Sequence, residues 1–242
     1  MALGILLFTA GLLLAGIFLR RRFPAAFRPI EAYERLNRAV GLAVESGTRF
    51  HISLGRGNLI TARGASALAA LAMLRKLSER TSLSDRPPID TSGDASLAIL
   101  SQDTLQSGYR AAAAEDQYWP STGRLTGLTP FSYAAGTLPI TRDESVSTNV
   151  FLGDFGAESA LMTESAERET ASIIAASDNL SAQSVFYATS PDPLIGEELF
   201  AAGAYVGAGA AHEASLNIQD ILRWLVILGI LIGSLLKLVG AI

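Results

Sequence analysis

Both ends of the chain carry an apolar run long enough to cross a membrane. Residues 2–19 contain Thr9 as their only polar side chain, and residues 224–242 contain Lys237 as their only charge. At ~1.5 Å of rise per helical residue, each run roughly spans a hydrocarbon core of ~30 Å. Lys237 lies close enough to the chain end to reach the membrane surface with its amine. The sequence therefore predicts one transmembrane helix at each end of a central domain.

The charges next to the first run predict how the chain is placed. A cleaved signal peptide carries its positive charge before the apolar stretch, whereas here Arg20, Arg21 and Arg22 follow it, so a retained helix is favoured over a cleaved signal. The positive-inside rule then puts the central segment in the cytoplasm and both termini outside. We expect a two-span protein of a bacterial inner membrane, divided into a first span with its basic collar (1–22), a central domain (23–222) and a second span (223–242).

Small residues within the spans predict contacts with other helices. Gly229 and Gly233 are four residues apart, as are Gly11 and Ala15, and this spacing lets two helices approach closely. The alternative is that such pairs are common in any apolar helix. We expect the bilayer as one partner and further copies of the chain as another, packed through these four residues.

The composition of the central segment excludes several classes of function. Residues 23–222 hold all 23 acidic residues and 14 of the 19 basic ones, for a formal charge of −9, which argues against nucleic-acid binding. The absence of cysteine excludes disulfides, iron–sulfur clusters and thiolate catalysis. His51 and His212 are the only histidines, too few for a multi-histidine metal centre. We expect no cofactor and no metal.

Alternating apolar runs and amphipathic stretches predict the fold class of the central segment. The expected helices include residues 29–46, 61–80 and 95–114, and the expected strands are 49–54, 88–92, 125–129, 147–152, 171–176 and 184–188. Strands that alternate with helices and are apolar on both faces indicate a mostly parallel sheet covered by helices. The prediction is an α/β domain with a Rossmann-like sheet flanked by helices.

The expected strand ends hold the candidate binding residues. In open α/β sheets, ligands bind outside the carboxyl ends of the strands. The residues expected there are Gly55, Arg56, Gly57, Ser92, Asp94, Gly153, Asp154, Gly156 and Glu158. Glycines let backbone N–H groups approach an anion, and Arg56 suits a phosphate or carboxylate. The three acidic residues suit acid–base chemistry or a metal.

A purely structural explanation of these residues is favoured. Tight turns between strands and helices need glycine, and Asp94 suits the N-cap of a helix. Neither the dinucleotide fingerprint nor the P-loop motif is present, and no nucleophile elbow occurs. We interpret His51 as a histidine of the core or its rim, and we assign no catalytic residue.

Three stretches of the chain resemble a family known only as a domain of unknown function. They are HISLGRGN (51–58), NVFLGDFGAE (149–158) and FYATSPDPLIGEELFAAGAY (186–205). The family comprises bacterial membrane proteins, mainly from Chloroflexota, and the resemblance covers most of residues 28–230. It implies two spans around an α/β domain, and it implies no activity, cofactor or catalytic residue.

Two functions follow as hypotheses. The favoured one is a non-enzymatic membrane scaffold in which identical subunits pack through their spans and α/β domains. The alternative is a membrane-tethered domain that binds a small anion or nucleotide, or hydrolyses its ligand, at the glycine-rich strand ends.

Overall fold

The computed structural model describes residues 2–23, 27–61, 64–82 and 84–238. These residues belong to two compact units: an α/β unit of residues 29–208, and a helical unit formed by residues 1–28 together with 209–242.

The elements of both units are numbered along the chain. The helices are α1 (Ala2–Arg22), α2 (Glu31–Ser46), α3 (Gly64–Thr81), α4 (Ala95–Ala111), α5 (Pro130–Asp143), α6 (Ser159–Arg168), α7 (Leu180–Thr189), α8 (Ala202–Tyr205) and α9 (Ala210–Leu238). The strands are β1 (Arg49–Gly55), β2 (Ile89–Ser92), β3 (Gly123–Leu125), β4 (Val146–Asp154), β5 (Ser172–Ser177) and β6 (Leu194–Ile195).

The helical unit consists of two helices that are apolar and long enough to cross a membrane. The candidate spans are Leu3–Arg22 and Ala210–Leu238, each with a mean hydropathy of 2.1. The two helices touch at Gly16, where an added methyl group would lie 3.0 Å from Ile218 Cδ1 and 3.4 Å from Ala214 Cβ. Two long apolar helices are consistent with a membrane protein, as predicted.

The predicted small-residue pairs lie away from this contact. A methyl group added at Gly11, Gly229 or Gly233 would meet no other atom within 4 Å in the described part of the chain. Packing of these glycines against another chain therefore stays a prediction.

The α/β unit is built on a six-stranded sheet with the order β3-β2-β1-β4-β5-β6. Every neighbouring pair is parallel; Ile52 of β1, for example, lies opposite Asp90 of β2 and Val150 of β4. The order 3-2-1-4-5-6 is that of doubly wound Rossmann folds. The predicted fold class is confirmed.

The helices form two groups around this sheet. α3 packs against α4, whereas α6 packs against both α5 and α7. Because parallel crossovers are right-handed and the strand order reverses after β3, the two groups cover opposite faces. Phe151, Phe155 and Phe186 fill the core on the α5–α7 side, with ring centroids 5.7 to 6.1 Å apart.

Two predicted strands are wrong in position or type. Residues 184–188 lie in α7, because Asn179 caps that helix by accepting a hydrogen bond from the Ser181 amide at 3.0 Å. The strand expected at 125–129 is β3, which ends at Leu125. The chain turns before Thr129, because this residue forms the capping box that opens α5.

Candidate functional site

The carboxyl ends of β1, β2 and β4 meet where the strand order reverses. Gly55 lies opposite Asp154 across the β1–β4 pair, and the Arg56 amide donates to the Asp154 carbonyl at 2.8 Å. The Gly93 amide, just after β2, donates to the Gly55 carbonyl at 2.9 Å. The three predicted glycine-rich turns are thus brought together at the crevice where doubly wound folds bind ligands.

Glycine at position 55 is required by this close approach. Its φ is +72°, a left-handed conformation, and a Cβ atom there would lie 2.3 Å from the Asp154 carbonyl oxygen. The buried Gly57 continues the same turn. The structural explanation therefore suffices to account for glycine at position 55. The same close approach brings the backbone of the turn after β1 to the crevice.

Arg56 crosses the crevice toward Glu158. Its side chain lies against Gly93, where a Cβ atom would come 2.3 Å from Arg56 Cγ, so this path depends on a glycine. Arg56 Nη1 lies 3.7 Å from Glu158 Oε1, and the same oxygen accepts a hydrogen bond from the Gly156 amide at 3.0 Å. The Glu158 side chain is only 4% exposed, whereas that of Arg56 is 28% exposed.

This arrangement is unusual for the start of a helix. Glu158 precedes α6 but its side chain caps none of the α6 amides. Instead its carboxylate contacts a guanidinium and accepts a hydrogen bond from a backbone N–H. These are the two kinds of donor that bind phosphate and carboxylate groups in proteins. Glu158 thus lies where these two donors converge.

Asp94 has a structural role, as the favoured interpretation predicted. Its carboxylate caps α4 by accepting hydrogen bonds from the Ser96 and Leu97 amides at 2.9 and 3.1 Å. Partial burial raises the pKa of Asp94, but hydrogen bonds from the Ser96 hydroxyl and these amides outweigh it, and the pKa lies below its usual value. Asn58 links the β1 turn to the same carboxylate at 3.4 Å.

The remaining predicted residues are buried at the strand ends. Ser92 is fully buried, and its hydroxyl has no hydrogen-bond partner within the described ranges. Asp154 is 7% exposed and follows Gly153, which lies opposite Ser177 of β5. The nine predicted residues therefore share one edge of the sheet, and their charged members are one arginine and three acidic residues.

A buried polar network under the crevice has no counterpart in the sequence analysis. The Tyr133 hydroxyl, from α5, lies 2.6 Å from Ser53 Oγ and accepts a hydrogen bond from the Gly55 amide at 3.2 Å. Complete burial raises the pKa of Tyr133 to about 12, although its hydrogen bonds oppose this. Tyr133 therefore stays a neutral phenol that holds the β1 turn. Nothing in the sequence around it signals this role, because α5 reaches β1 only through the crossover.

His51 lies in the same network and is a core histidine, as interpreted from the sequence. Its Nδ1 donates to Asn149 Oδ1 at 2.7 Å, and its Nε2 lies 2.9 Å from Thr91 Oγ1. Burial lowers the pKa of His51 to about 4, despite the hydrogen bond to Asn149, which raises it. His51 is therefore neutral at physiological pH and inaccessible to a ligand.

Two grooves of the α/β unit lie away from the crevice. One, of about 670 Å³, runs between β3 and α5 and is lined by Arg124 and Glu144. The other, of about 350 Å³, lies beside α2 and the amino ends of β4 and β5. Among the described residues, no group of three or more His, Asp or Glu side chains is arranged to hold a metal ion.

Comparison with known proteins identifies the family. A family model described as a domain of unknown function (DUF6754) matches residues 1–242. No curated protein and no solved structure matches the chain. The origin in Chloroflexota stays a prediction, whereas the family match covers the full sequence. The chain belongs to the DUF6754 family.

Proposed function

We propose that this protein is a membrane-anchored binding domain for a small ligand with an anionic group. The observation that carries the proposal is the convergence of Arg56 and the Gly156 amide on the buried carboxylate of Glu158, at the reversal of strand order. Glu158 takes the place of the ligand's anionic group when the crevice is empty.

The charges of the crevice define what such a ligand must do. It has to displace Glu158 from its contacts with Arg56 and the Gly156 amide. A phosphate can do so because it forms a bidentate pair with the arginine. The displaced Glu158 and the nearby Asp154 repel the incoming anion. A bare anion is therefore expected to bind weakly, and tight binding needs further contacts from an attached group such as a nucleoside.

The test changes the two charges separately. In the full-length protein in lipid nanodiscs, Glu158→Gln removes the competing charge at nearly constant shape. It is expected to tighten binding of inorganic phosphate and ADP by about tenfold, which corresponds to ~1.4 kcal/mol. Arg56→Ala is expected to abolish the binding, measured by isothermal titration calorimetry.

The matched control is Arg142→Ala. Arg142 is 71% exposed and pairs with its neighbour Asp143, so its loss should leave binding unchanged. Binding that survives Arg56→Ala, or no binding of either probe even in Glu158→Gln, would contradict the proposal.

We also propose that both terminal helices span the membrane, with the α/β unit in the cytoplasm and the termini outside. The arginines at 20–22, which form the last turn of α1, support this placement. Because the chain has no cysteine, a single introduced cysteine reports whether its own position is accessible to a thiol reagent. In intact cells, a membrane-impermeant maleimide is expected to label Leu238→Cys but not Ser121→Cys; the reverse pattern would reject this orientation.

A homo-oligomeric membrane scaffold is the second candidate function. The observation that favours it is the open space around Gly229 and Gly233, where a second helix can approach closely. A purified particle of single-subunit mass in mild detergent would contradict it.

A further inference from the structure

Three neighbouring helices carry an exposed apolar side chain where they begin. α5, α6 and α7 follow β3, β4 and β5 of the parallel sheet, so all three helices begin at its carboxyl edge. Phe131 and Leu180 are 72% and 77% exposed, and Leu161 is 41% exposed. Each of them lies among the first three residues of its helix. Because α6 packs against both α5 and α7, these residues follow one another along the edge, and we call them the apolar row.

The apolar row borders the crevice. Leu161 lies in the first turn of α6, three residues after Glu158. Phe131 lies in the first turn of α5, two residues before Tyr133, whose hydroxyl accepts a hydrogen bond from the Gly55 amide at 3.2 Å. A ligand in the crevice therefore has the apolar row along one side.

An exposed isoleucine lies on the opposite side of the crevice. Ile60, in the turn after β1, is 96% exposed. Its amide donates a hydrogen bond to Asn58 Oδ1 at 2.9 Å, and the Asn58 side-chain amide donates to the Asp94 carboxylate at 3.4 Å. Asp94 caps α4, which lies on the opposite face of the sheet from α5, α6 and α7. The turn is thus tied to the protein, and apolar side chains are presented to solvent on both sides of the crevice.

The apolar row occupies positions that usually hold polar residues. The first turn of a helix favours acidic side chains, which interact with its partial positive charge. The first turns of α5, α6 and α7 contain no acidic residue, although residues 23–222 carry a formal charge of −9. Exposed apolar side chains and helix N-termini thus share one edge, a combination that suits a ligand with both an apolar part and an anionic part.

We propose that the ligand of the crevice is an amphiphile, a phosphate ester with a hydrocarbon tail. This inference rests on the proposed function, in which the phosphate displaces Glu158 from Arg56 and the Gly156 amide. The tail then covers the apolar row and supplies the further contacts that a bare anion lacks, so the attached group is a hydrocarbon and not a nucleoside. Phospholipids have this chemistry, and two helices of the chain are apolar enough to span a membrane.

Hexyl phosphate and inorganic phosphate test the two parts of such a ligand separately. Both are titrated by calorimetry into the full-length Glu158→Gln variant in phosphatidylcholine nanodiscs, since this variant is expected to bind bare phosphate more tightly than the wild type. Hexyl phosphate is expected to bind at least thirtyfold more tightly than inorganic phosphate, because each methylene group that leaves water strengthens binding by up to about fourfold. It should also bind more tightly than ADP. Adding Arg56→Ala measures how much hexyl phosphate enters the lipid alone.

Paired serine substitutions test the apolar row. In the Glu158→Gln background, Phe131→Ser together with Leu180→Ser is expected to lower the ratio of the two phosphate affinities at least tenfold. The matched control is Leu42→Ser with Tyr187→Ser. Leu42 and Tyr187 are 64% and 71% exposed near the last turns of α2 and α7, which lead to the opposite, amino edge of the sheet. The control should leave the ratio unchanged, and an equal ratio in both double variants would overturn the proposal.

The titrations separate this inference from the proposed function. If the Glu158→Gln variant binds neither inorganic phosphate nor ADP, the proposed function itself is contradicted. If it binds inorganic phosphate but hexyl phosphate is no tighter, or if ADP is tighter than hexyl phosphate, only the amphiphile is overturned.

Phosphatidic acid in the nanodiscs distinguishes the two sources of such a ligand. A membrane phospholipid as ligand predicts that phosphatidic acid competes and weakens the binding of hexyl phosphate at least fivefold. An unchanged affinity would instead support a free amphiphile that enters the crevice from water.

Discussion

Gly153→Ala is expected to lower the melting temperature of the full-length protein by roughly 10 °C. Gly153 has φ of +146°, and a Cβ atom there would lie 2.1 Å from the Leu54 carbonyl oxygen. Both strands are held in place by the β1–β4 pairing, so the clash is relieved only by separating the strand ends that form the crevice. Backbone strain and this displacement together cost roughly 3 kcal/mol or more.

The matched control is another glycine-to-alanine change. Gly41 lies in the exposed middle of α2, and a Cβ atom there meets nothing within 4 Å. Gly41→Ala is expected to stabilise by up to ~1 kcal/mol, because alanine has the higher helix propensity. Thermal unfolding in nanodiscs, followed by circular dichroism, measures both variants. A melting temperature of Gly153→Ala within 2 °C of the wild type would show that the strand ends can rearrange.

The sheet could be predicted from sequence because its central strands are buried on both faces. β1, β4 and β5 consist mostly of apolar and small residues and are separated by amphipathic helices, and the sequence predicts all three strands within two residues of their bounds. The sequence wrongly predicts a strand at residues 184–188, because a short aromatic and β-branched run fits a strand as well as a helix. The predicted position of β3 is wrong because three residues are too few to show a hydrophobic pattern. Its position is instead fixed by its pairing with β2.

The residues of the crevice could be predicted, but their contacts could not. Fold-level reasoning places strand ends together, and Gly55, Gly93 and Gly156 do meet there. The pairing of Arg56 with Glu158 depends on a loop path over Gly93 that no local pattern encodes. The role of Tyr133 cannot be predicted for a similar reason, since this residue reaches Gly55 from a position 78 residues away in sequence.

Two buried titratable groups in neighbouring strands, Asp90 and His51, are expected to change the folding stability in opposite directions as the pH falls. Asp90 is fully buried, and neither carboxylate oxygen makes a well-formed hydrogen bond within the described residues. Burial raises the pKa of Asp90 from 3.8 to about 7, although the nearby Ser101 hydroxyl lowers it. Its contribution to stability is therefore greatest below pH 4 and is lost as the pH rises toward 7. His51 behaves oppositely, because burial lowers its pKa from 6.5 to about 4, so stability is lost as the pH falls through this range.

Asp90→Asn is expected to remove one of these opposing dependences. As the pH rises from 4 to 7, the unfolding free energy of the variant should rise by roughly 4 kcal/mol relative to that of the wild type. Only the wild type has a carboxyl group at position 90, and burial opposes its ionisation in the folded state. The loss of stability that His51 causes in acid is then no longer offset by Asp90. From pH 6.5 to 4, His51 should lower the unfolding free energy of the variant by about 3 kcal/mol.

Thermal unfolding at half-unit pH steps measures the difference between variant and wild type, in which the contributions of all other groups cancel. Asp116→Asn, which removes an exposed acid on a 3-10 turn, is the control variant against which a flat difference curve is judged. An Asp90→Asn difference that is equally flat would show that the Asp90 carboxyl is solvated in the folded protein. A rise confined to pH 4–7 would instead show that the buried Asp90 carboxyl group, on the α4 side of the sheet, stays protonated in the folded protein over this range.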